Sequence, residues 1–384
     1  MIYYLTYNEP FSGIFNSQVV DVVKHLRTEH QQEIRLISFV PIGFKMTYYK
    51  ELCAKLRMAE PSVIIIPTVP VQYGWKFNWF LLSLILLFRK KGSIISREIW
   101  ATYLAIKCRT FKMVHKVCYD ARGANYAQMK EYDIYSQNIK EEIFELEKFA
   151  VFNSNFRLAV SQALVDYWKR VYNYSSNQYV VIPTTISSSL FDKKKNTDEI
   201  NRIKNEFNLK AEDVILVFSG SNFGWQSFDL IIKFFELQLQ EDPKVKIVFL
   251  SQTNKELDNF VAKFPNRIYC KWLQIDEVNC LLELCDYGVL LRDSNDTNNV
   301  ASPTKFAEYL AAGLPVIISD NLDFASIVKS EKCGIIIQND QLTSHKFMKN
   351  TEEVKLKMKV ISSNYFLKSS PSNKLNYNSI IDNL

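Results

Sequence analysis

One short stretch of the C-terminal half carries residues suited to holding a phosphorylated ligand. Ser302 is a preferred helix N-cap and Pro303 suits the first helical position, so we predict that a helix begins here with its free amides facing the preceding loop. Thr304 and Lys305 would then lie beside a natural diphosphate site. Glu308 follows one turn later on the same face, where its carboxylate would accept hydrogen bonds from ribose hydroxyls. The alternative is a capped helix whose Lys305 and Glu308 simply face solvent.

A second charged pair follows an apolar run in the N-terminal half. Asp120 and Arg122 stand in the segment Tyr-Asp-Ala-Arg-Gly, directly after a predicted strand over 114–119. Asp120 would accept a hydrogen bond from a ligand hydroxyl or act as a base, and Arg122 would hold an anionic group. The alternative is a local ion pair that stabilises the loop.

Two further features of the C-terminal half fit a phosphate site. Gly220, Ser221 and Asn222 follow a predicted strand, and small residues allow backbone amides to approach a phosphate closely. Arg292 follows another predicted strand and supplies positive charge. An ordinary strand-to-helix loop is the alternative for the glycine-containing segment.

The first predicted strand also leads into a loop of interest, Ser12, Gly13 and Ile14. Gly13 would permit close approach of a ligand to the backbone, which makes this loop a candidate binding segment. A turn followed by a helix capped by Ser17 explains the same residues equally well.

These residues need a framework of strands and helices, and the sequence predicts an α/β one. Short apolar runs alternate with segments of helical periodicity, the pattern of a parallel sheet covered by helices. The polar and charged stretch 187–196 predicts a linker. We therefore predict an N-terminal Rossmann-like domain at 1–186, a C-terminal one at 187–365, and a segment at 366–384 that docks back on the body.

The apolar, β-rich runs predict strands at 2–6, 34–39, 62–67, 114–119, 149–153, 179–182, 214–219, 246–251, 268–270, 287–291, 315–319 and 334–338. In open α/β sheets ligands bind beyond the carboxyl ends of the strands. The candidate residues above all follow such ends.

Composition narrows the class of protein. The 384 residues are 47% hydrophobic, which is enough to build about two cores. The net charge of +6 is spread along the chain, unlike the single basic face of a dedicated nucleic-acid binder. Seven cysteines without a Cys-x-x-Cys pair predict neither a zinc site nor a disulfide framework, and a reduced, cytoplasmic compartment is expected. No Asp-x-Asp motif is evident, so no metal is expected to be required.

One stretch suggests a membrane surface. The N-terminus lacks the features of a secretory signal, and the apolar run from Trp79 to Phe88 is shorter than the roughly 20 residues that span a bilayer. Flanked by Trp75 and by Arg89 to Lys91, this run would suit a helix lying at the membrane interface. A buried core helix is the alternative, and ordinary frequencies favour it.

The motif SPTKFAEYLAAGLPVI, residues 302–317, resembles the donor-binding segment of retaining glycosyltransferases with two Rossmann-like domains facing each other across a cleft, the GT-B architecture. The likeness is to bacterial enzymes of glycosyltransferase family 4, which build capsule, O-antigen and exopolysaccharide. It implies that Glu308 binds the ribose. It also implies that the loop Ser12 to Ile14 and the segment Asp120 to Gly123, an Asp-x-Arg-Gly, form the acceptor-binding side. No metal or other cofactor is implied.

The sequence departs from the family pattern at two places. The first carboxylate of the family's paired-glutamate motif falls at Val300, and Gln226 stands where a diphosphate-binding lysine is usual. Arg292 and Lys305 are therefore the candidates for the missing positive charge. Backbone groups of 298–302 would have to replace the absent carboxylate.

The function expected from the resemblance is transfer of a sugar from a nucleoside diphosphate to a glycan or polyprenyl-linked acceptor at the cytoplasmic face of a bacterial membrane. Two rivals stay open. One is a non-catalytic nucleotide-sugar-binding partner subunit, which the two departures make reasonable. The other is a nucleotide-sugar epimerase on the same fold.

Overall fold

Two separate parallel sheets organise the chain in the computed structural model, which describes residues 1–42, 46–68, 74–132, 137–188, 197–220, 224–273 and 275–384. Unit 1 comprises Met1–Ser187, Val300–Ser302 and Lys368–Leu384. Unit 2 comprises Ser188–Asn299 and Pro303–Leu367. The predicted fold class, two Rossmann-like α/β domains, is confirmed.

The sheet of unit 1 has the strand order β3-β2-β1-β4-β5-β6-β7, with every described pairing parallel. Its strands are β1 (Ile2–Tyr7), β2 (Ile34–Pro41), β3 (Ile64–Thr68), β4 (Ser93–Arg97), β5 (Val117–Ala121), β6 (Phe156–Ala159) and β7 (Tyr179–Val181). The order reverses between β1 and β4. Such a reversal opens a crevice at the carboxyl ends of the two strands.

Helices connect these strands and cover both faces of the sheet. They are α1 (Gly13–Phe15), a π-helical turn (Asn16–Val20), α2 (Asp21–Thr28), α3 (Met46–Ala59), a 3₁₀ turn (Trp75–Phe77), α4 (Asn78–Leu87), α5 (Glu98–Thr110), α6 (Asn125–Glu131), α7 (Gln137–Asn153) and α8 (Gln162–Tyr172). The side chains of β1 alternate between two cores, with Tyr3 and Leu5 in one and Ile2 and Tyr4 in the other. Burial on both faces explains why this strand reads as a continuous apolar run.

The sheet of unit 2 repeats the plan with the order β10-β9-β8-β11-β12-β13. Its strands are β8 (Val214–Ser219), β9 (Val245–Leu250), β10 (Ile268–Cys270), β11 (Tyr287–Leu290), β12 (Val316–Ser319) and β13 (Gly334–Ile337). The helices of its span are α9 (Thr197–Glu206), a 3₁₀ turn (Gly224–Gln226), α10 (Phe228–Glu241), α11 (Lys255–Lys263), α12 (Ile275–Leu284), α13 (Asp296–Asn299), α14 (Thr304–Ala311), α15 (Ala325–Glu331) and α16 (Glu352–Phe366). The reversal here lies between β8 and β11.

The last helix, α17 (Pro371–Asp382), returns to unit 1. Tyr377 packs against the His25 ring at a centroid distance of 5.2 Å, and the Ser93 hydroxyl donates to the carbonyl of Leu384 at 2.7 Å. The C-terminal segment therefore packs on the body of the N-terminal unit.

Within the described ranges, no helix combines the length and the apolar character needed to cross a bilayer.

Three sequence predictions of strands need correction. The segment 149–153, predicted as a strand, is the end of α7, because buried Ile143, Leu146 and Ala150 recur at helical spacing. Two strands were missed, β4 and β6. In β4 buried serines interrupt the apolar pattern, and their hydroxyls are satisfied by carbonyl acceptors such as Cys118 O, at 3.0 Å from Ser96 Oγ.

Candidate functional site

In unit 2, Gly220, Arg292 and the start of α14 lie at the carboxyl ends of β8 and β11, the two strands between which the order reverses. Gly220 directly follows β8, and Arg292 follows β11 by two residues. Because α14 connects β11 to β12 in a parallel sheet, its first turn lies at this same edge. The fold thus brings the glycine-containing loop, Arg292 and the start of α14 to one end of the sheet.

Arg292 is buried and held in place from three directions. Its Nη1 donates to the carbonyl of Trp225 at 3.0 Å, in the segment that follows β8. Its backbone N–H donates to Ser319 Oγ at 2.8 Å, and its carbonyl accepts from Asn339 Nδ2 at 2.6 Å. The guanidinium therefore reaches across the β8–β11 crevice from a rigid position.

The start of α14 differs from the sequence prediction. Pro303, not Ser302, is the N-cap, and within the described residues no side chain caps the first turn. The reason is that the Ser302 hydroxyl is already engaged: its Oγ accepts from the backbone N–H of Thr184 at 2.8 Å, and its carbonyl accepts from the Thr184 hydroxyl. The helix N-terminus is present where it was predicted, but the prediction of Ser302 as its capping residue was wrong.

Lys305 and Glu308 form an ion pair on the first turns of α14, with Nζ 2.7 Å from Oε2. Both side chains are about one-quarter exposed (26% and 23%), so solvent reaches the pair. Thr304 is the first residue of the helix, one turn before Glu308. The arrangement leaves a cation and a carboxylate that an incoming ligand can separate and bind individually.

The helix is seated firmly on the sheet by the residue that follows Glu308. The buried Tyr309 hydroxyl accepts from the backbone N–H of Ser219, at the end of β8, at 2.8 Å. A β carbon on Gly288 would lie 2.3 Å from the Tyr309 ring, so only glycine allows this close packing of helix on strand. The position of Glu308 is therefore fixed by its neighbour.

The loop after β8 is only partly described. Ser221 and Asn222, two predicted donor residues, lie outside the described residues. A β carbon on Gly220 would approach the Phe218 ring to 2.9 Å and Gln226 Oε1 to 3.1 Å. Gln226 therefore has its amide beside the glycine, where the resemblance placed a lysine in related enzymes.

In unit 1 the predicted pair Asp120 and Arg122 lies at the end of β5 inside a larger buried network. Arg122 Nη1 is 3.2 Å from Asp120 Oδ1, and Arg97 Nη1 is 3.7 Å from Asp120 Oδ2. The Tyr4 hydroxyl donates to the same carboxylate, and burial raises the pKa of that phenol. Two guanidinium groups thus neutralise the charge of Asp120. This arrangement also fits the alternative that the pair serves only to stabilise the loop.

Sequence reasoning missed Gln18, which orients Arg122. Gln18 Oε1 accepts from Arg122 Nη2 at 2.7 Å, while its Nε2 donates to the carbonyl of Thr185 at 2.8 Å. Gln18 lies in the π-helical turn Asn16–Val20, a local widening of the helix that is frequent at functional sites. Nothing in the sequence marks this turn, so no local signal would have found it.

A second omission is Glu98, which follows β4 at the reversal of the sheet. Its φ of +64° is left-handed, an uncommon conformation for a residue other than glycine. Burial raises the pKa of its carboxyl to about 7, and the nearby Glu9 and Asp120 carboxylates add to this, while Arg97 and Asn125 oppose it. Asn125 Nδ2 donates to Glu98 Oε2 at 2.8 Å. Recognising β4 would have placed Glu98 at a strand's carboxyl end.

The loop after β1 takes a simple form. The Ser12 hydroxyl caps α1 by accepting from the backbone N–H of Phe15 at 3.2 Å, so Ser12 is the cap rather than Ser17. Apart from its chain neighbours, no atom of the described residues lies within 4 Å of a β carbon built on Gly13, and Ile14 is exposed. The loop has free space around it, which fits an acceptor-binding segment as well as a plain turn.

Comparison with known proteins points to one class of enzyme. Residues 238–371 match the family model of the glucosyltransferase 3-like C-terminal domain, which includes Arg292 and the whole of α14. The chain is 24% identical over 335 residues to chitobiosyldiphosphodolichol beta-mannosyltransferase of Candida glabrata, covering 75% of this chain and 72% of that protein. These findings support glycosyltransferase activity.

Solved structures agree on the fold. Anabaena HepE, in complex with UDP and glucose, matches with a TM-score of 0.72 at 13% identity over 99% of each chain. Sucrose-phosphate synthase from Thermosynechococcus elongatus matches with a TM-score of 0.68 at 10% identity, over 99% of this chain and 98% of the other. The fold is that of GT-B glycosyltransferases.

Proposed function

We propose that the protein transfers a sugar from a nucleoside diphosphate sugar to a glycan or polyprenyl-linked glycan in bacterial cell-surface polysaccharide synthesis, with retention of the anomeric configuration. The observation that carries the donor assignment is the first turn of α14, whose amides have no side-chain cap among the described residues and lie beside Lys305 and Glu308. Helix amides and a lysine suit a diphosphate.

The difficult step is departure of the nucleoside diphosphate, which develops negative charge. Arg292 and Lys305, with the positive end of the α14 dipole, stabilise that charge in the proposal. Glu308 turns from Lys305 to the ribose hydroxyls when the donor binds. No metal takes part in this scheme, because the protein's own cations balance the leaving group.

The acceptor binds at the carboxyl edge of the unit 1 sheet. Arg122, held by Gln18, offers a guanidinium to an anionic or hydroxylated acceptor. Asp120 is held by two arginines and serves as a hydrogen-bond acceptor for the incoming hydroxyl. Glu98, whose carboxyl has a pKa of about 7, is the residue best suited to take up the acceptor's proton near neutral pH.

The decisive experiment measures donor binding and donor consumption in wild-type protein and in Glu308→Ala. A panel of UDP-, GDP-, ADP- and CMP-sugars identifies the donor by thermal stabilisation. Loss of a charged hydrogen bond to the ribose predicts a fall in kcat/KM of roughly 10- to 100-fold. Glu353→Ala, an exposed carboxylate on α16, is the matched control and should retain full activity.

The same assay separates the rival functions. Tight donor binding without consumption in the presence of acceptors would identify a binding subunit, and conversion of the donor without acceptor would identify an epimerase. Unchanged activity in Glu308→Ala would remove the ribose assignment. Activity that is lost with EDTA and restored by Mn²⁺ would contradict a metal-free mechanism.

A further inference from the structure

The outer face of α4 is apolar and uncovered. Phe77, Phe80, Leu84 and Phe88 are 77%, 61%, 46% and 82% exposed, and Leu81 and Leu87 complete the stripe. Their spacing of three or four residues puts them on one side of the helix. A helix on a protein surface normally turns polar residues outward, so these six residues form an unusual surface, here called the α4 apolar face.

The inner side of the same helix explains how α4 is held. Asn78, Leu82 and Leu86 are buried, and the Asn78 amide donates to Tyr7 OH and to Thr68 Oγ1, each at 2.8 Å. Fixed by its inner face, α4 cannot turn the apolar stripe inward. The expectation of a buried core helix holds for this inner face and is wrong for the outer one.

Positive charge surrounds this face. Residues 76–96 include Lys76, Arg89, Lys90 and Lys91, and residues 107–116 include four more basic side chains, with no Asp or Glu in either segment. Trp79 stacks on Phe111 at a centroid distance of 4.7 Å, which brings Lys112 at the end of α5 to the same area. Glu142 pairs with Lys76 at 2.8 Å and Glu33 pairs with Lys90 at 2.6 Å, while Arg89 and Lys91 are exposed.

We propose that the α4 apolar face docks unit 1 on an anionic lipid bilayer, with its six apolar side chains among the acyl chains and the basic residues on the lipid headgroups. Apolar burial combined with attraction to anionic lipid is the physical basis of interfacial helices. The exposed Arg89 and Lys91 beside this face fit an anionic surface better than a second copy of this chain, which would bring the same positive charge to the contact.

The position of α4 in the sheet connects this surface to the acceptor. Asn78 contacts the ends of β1 and β3, so the first turn of α4 lies at the carboxyl edge that carries Asp120 and Glu98. A polyprenyl-linked glycan anchored in the bilayer would then present its sugar to that edge. This part of the inference rests on the proposed function, whereas the docking itself does not.

Flotation of the full chain with vesicles tests the docking. Vesicles of phosphatidylcholine with phosphatidylglycerol should bind the protein, and the combined variant Phe80→Ser, Leu84→Ser and Phe88→Ser should bind more than about tenfold more weakly. Neutralising Arg89 or Lys91 with glutamine should cost about fivefold each on these vesicles, and added salt should weaken binding of the wild type. Met58→Ser with Leu356→Ser, two exposed apolar residues elsewhere, is the matched control.

Equal binding by the wild type and the triple serine variant would overturn the proposal. So would sedimentation velocity showing a wild-type dimer that the serine variant abolishes while vesicles bind neither. Thermal unfolding of the variant verifies its fold, which exposed positions should leave intact. Donor consumption with a soluble acceptor needs no vesicles, so failure of docking and failure of the proposed transfer remain distinguishable.

Discussion

The carboxyl edges of the two sheets carry charge in different ways. In unit 1, Asp120, Arg97, Arg122 and Glu9 are paired among themselves, with Arg97 Nε 2.8 Å from Glu9 Oε1. In unit 2 the corresponding edge pairs Lys305 with Glu308 at a partly exposed site, and α14 opens without a side-chain cap among the described residues. The charges at the unit 1 edge neutralise one another, whereas the unit 2 edge keeps helix amides and a lysine that can donate hydrogen bonds to a ligand.

This difference indicates different demands on the two edges. A diphosphate brings two or more negative charges, and a site that has kept helix amides and a solvent-accessible lysine available can meet them. A neutral sugar hydroxyl brings no charge, so an arginine–carboxylate network can hold its geometry before the acceptor arrives. Three predictions test this contrast.

The largest effect is expected for Asp120→Asn in unit 1. The substitution leaves Arg97 and Arg122 buried with one partner fewer, which should lower the free energy of unfolding by about 3 kcal/mol or more. Glu308→Gln, at the partly exposed pair in unit 2, should cost less than ~1 kcal/mol. Urea denaturation of both variants measures the two values. Similar costs for the two variants would abolish the contrast.

The second prediction concerns pH and Glu147, a fully buried carboxyl on α7 whose Oε2 accepts from the backbone N–H of Tyr126 at 2.7 Å. Burial raises its pKa to about 7, so its stabilising contribution is complete below its unfolded pKa and is lost as the pH rises through 7. Between the pKa of this carboxyl in the unfolded chain and its pKa of about 7 in the folded protein, we expect the wild type to lose up to ~3 kcal/mol of unfolding free energy from this group.

Glu147→Gln should flatten this dependence, as measured by denaturation from pH 5 to pH 8. Glu98→Gln, at a residue that is less completely buried than Glu147, is the companion variant and should have a smaller effect on stability. Its larger effect should appear in the pH profile of kcat. A wild-type stability that rises between pH 5 and pH 8 would contradict the assignment.

Among the buried groups of these three predictions, the smallest effect is expected for Ser302→Ala. Because the Ser302 hydroxyl accepts from Thr184, its loss should cost about 1–2 kcal/mol of stability through an unsatisfied buried N–H, with donor affinity unchanged. Thermal unfolding and donor titration on the same samples separate the two readouts. Weaker donor binding at unchanged stability would instead indicate that the Ser302 side chain contacts the diphosphate.

Much of the framework was predictable from the sequence. Continuous apolar runs such as 214–219 predicted strands because both faces of a parallel sheet are buried, and Pro303 with Gly313 marked the ends of α14 to within a residue or two. Gly313 has a φ of +89°, the conformation that favours glycine after a helix. The strand β4 was not predictable in this way, because its serines look polar until their acceptors are known.

In the candidate site, too, some features could be predicted from the sequence and others only from the tertiary structure. Residue type and spacing within α14 determined that Thr304, Lys305 and Glu308 share one helix, since helical periodicity is local. Only the tertiary structure decided that Ser302 bonds to Thr184, that Gln18 orients Arg122, and that Glu98 lies near Asp120, since these partners are far apart in the chain. Local chemistry is written in consecutive residues, whereas a hydrogen bond across a sheet depends on the topology that brings distant strands together.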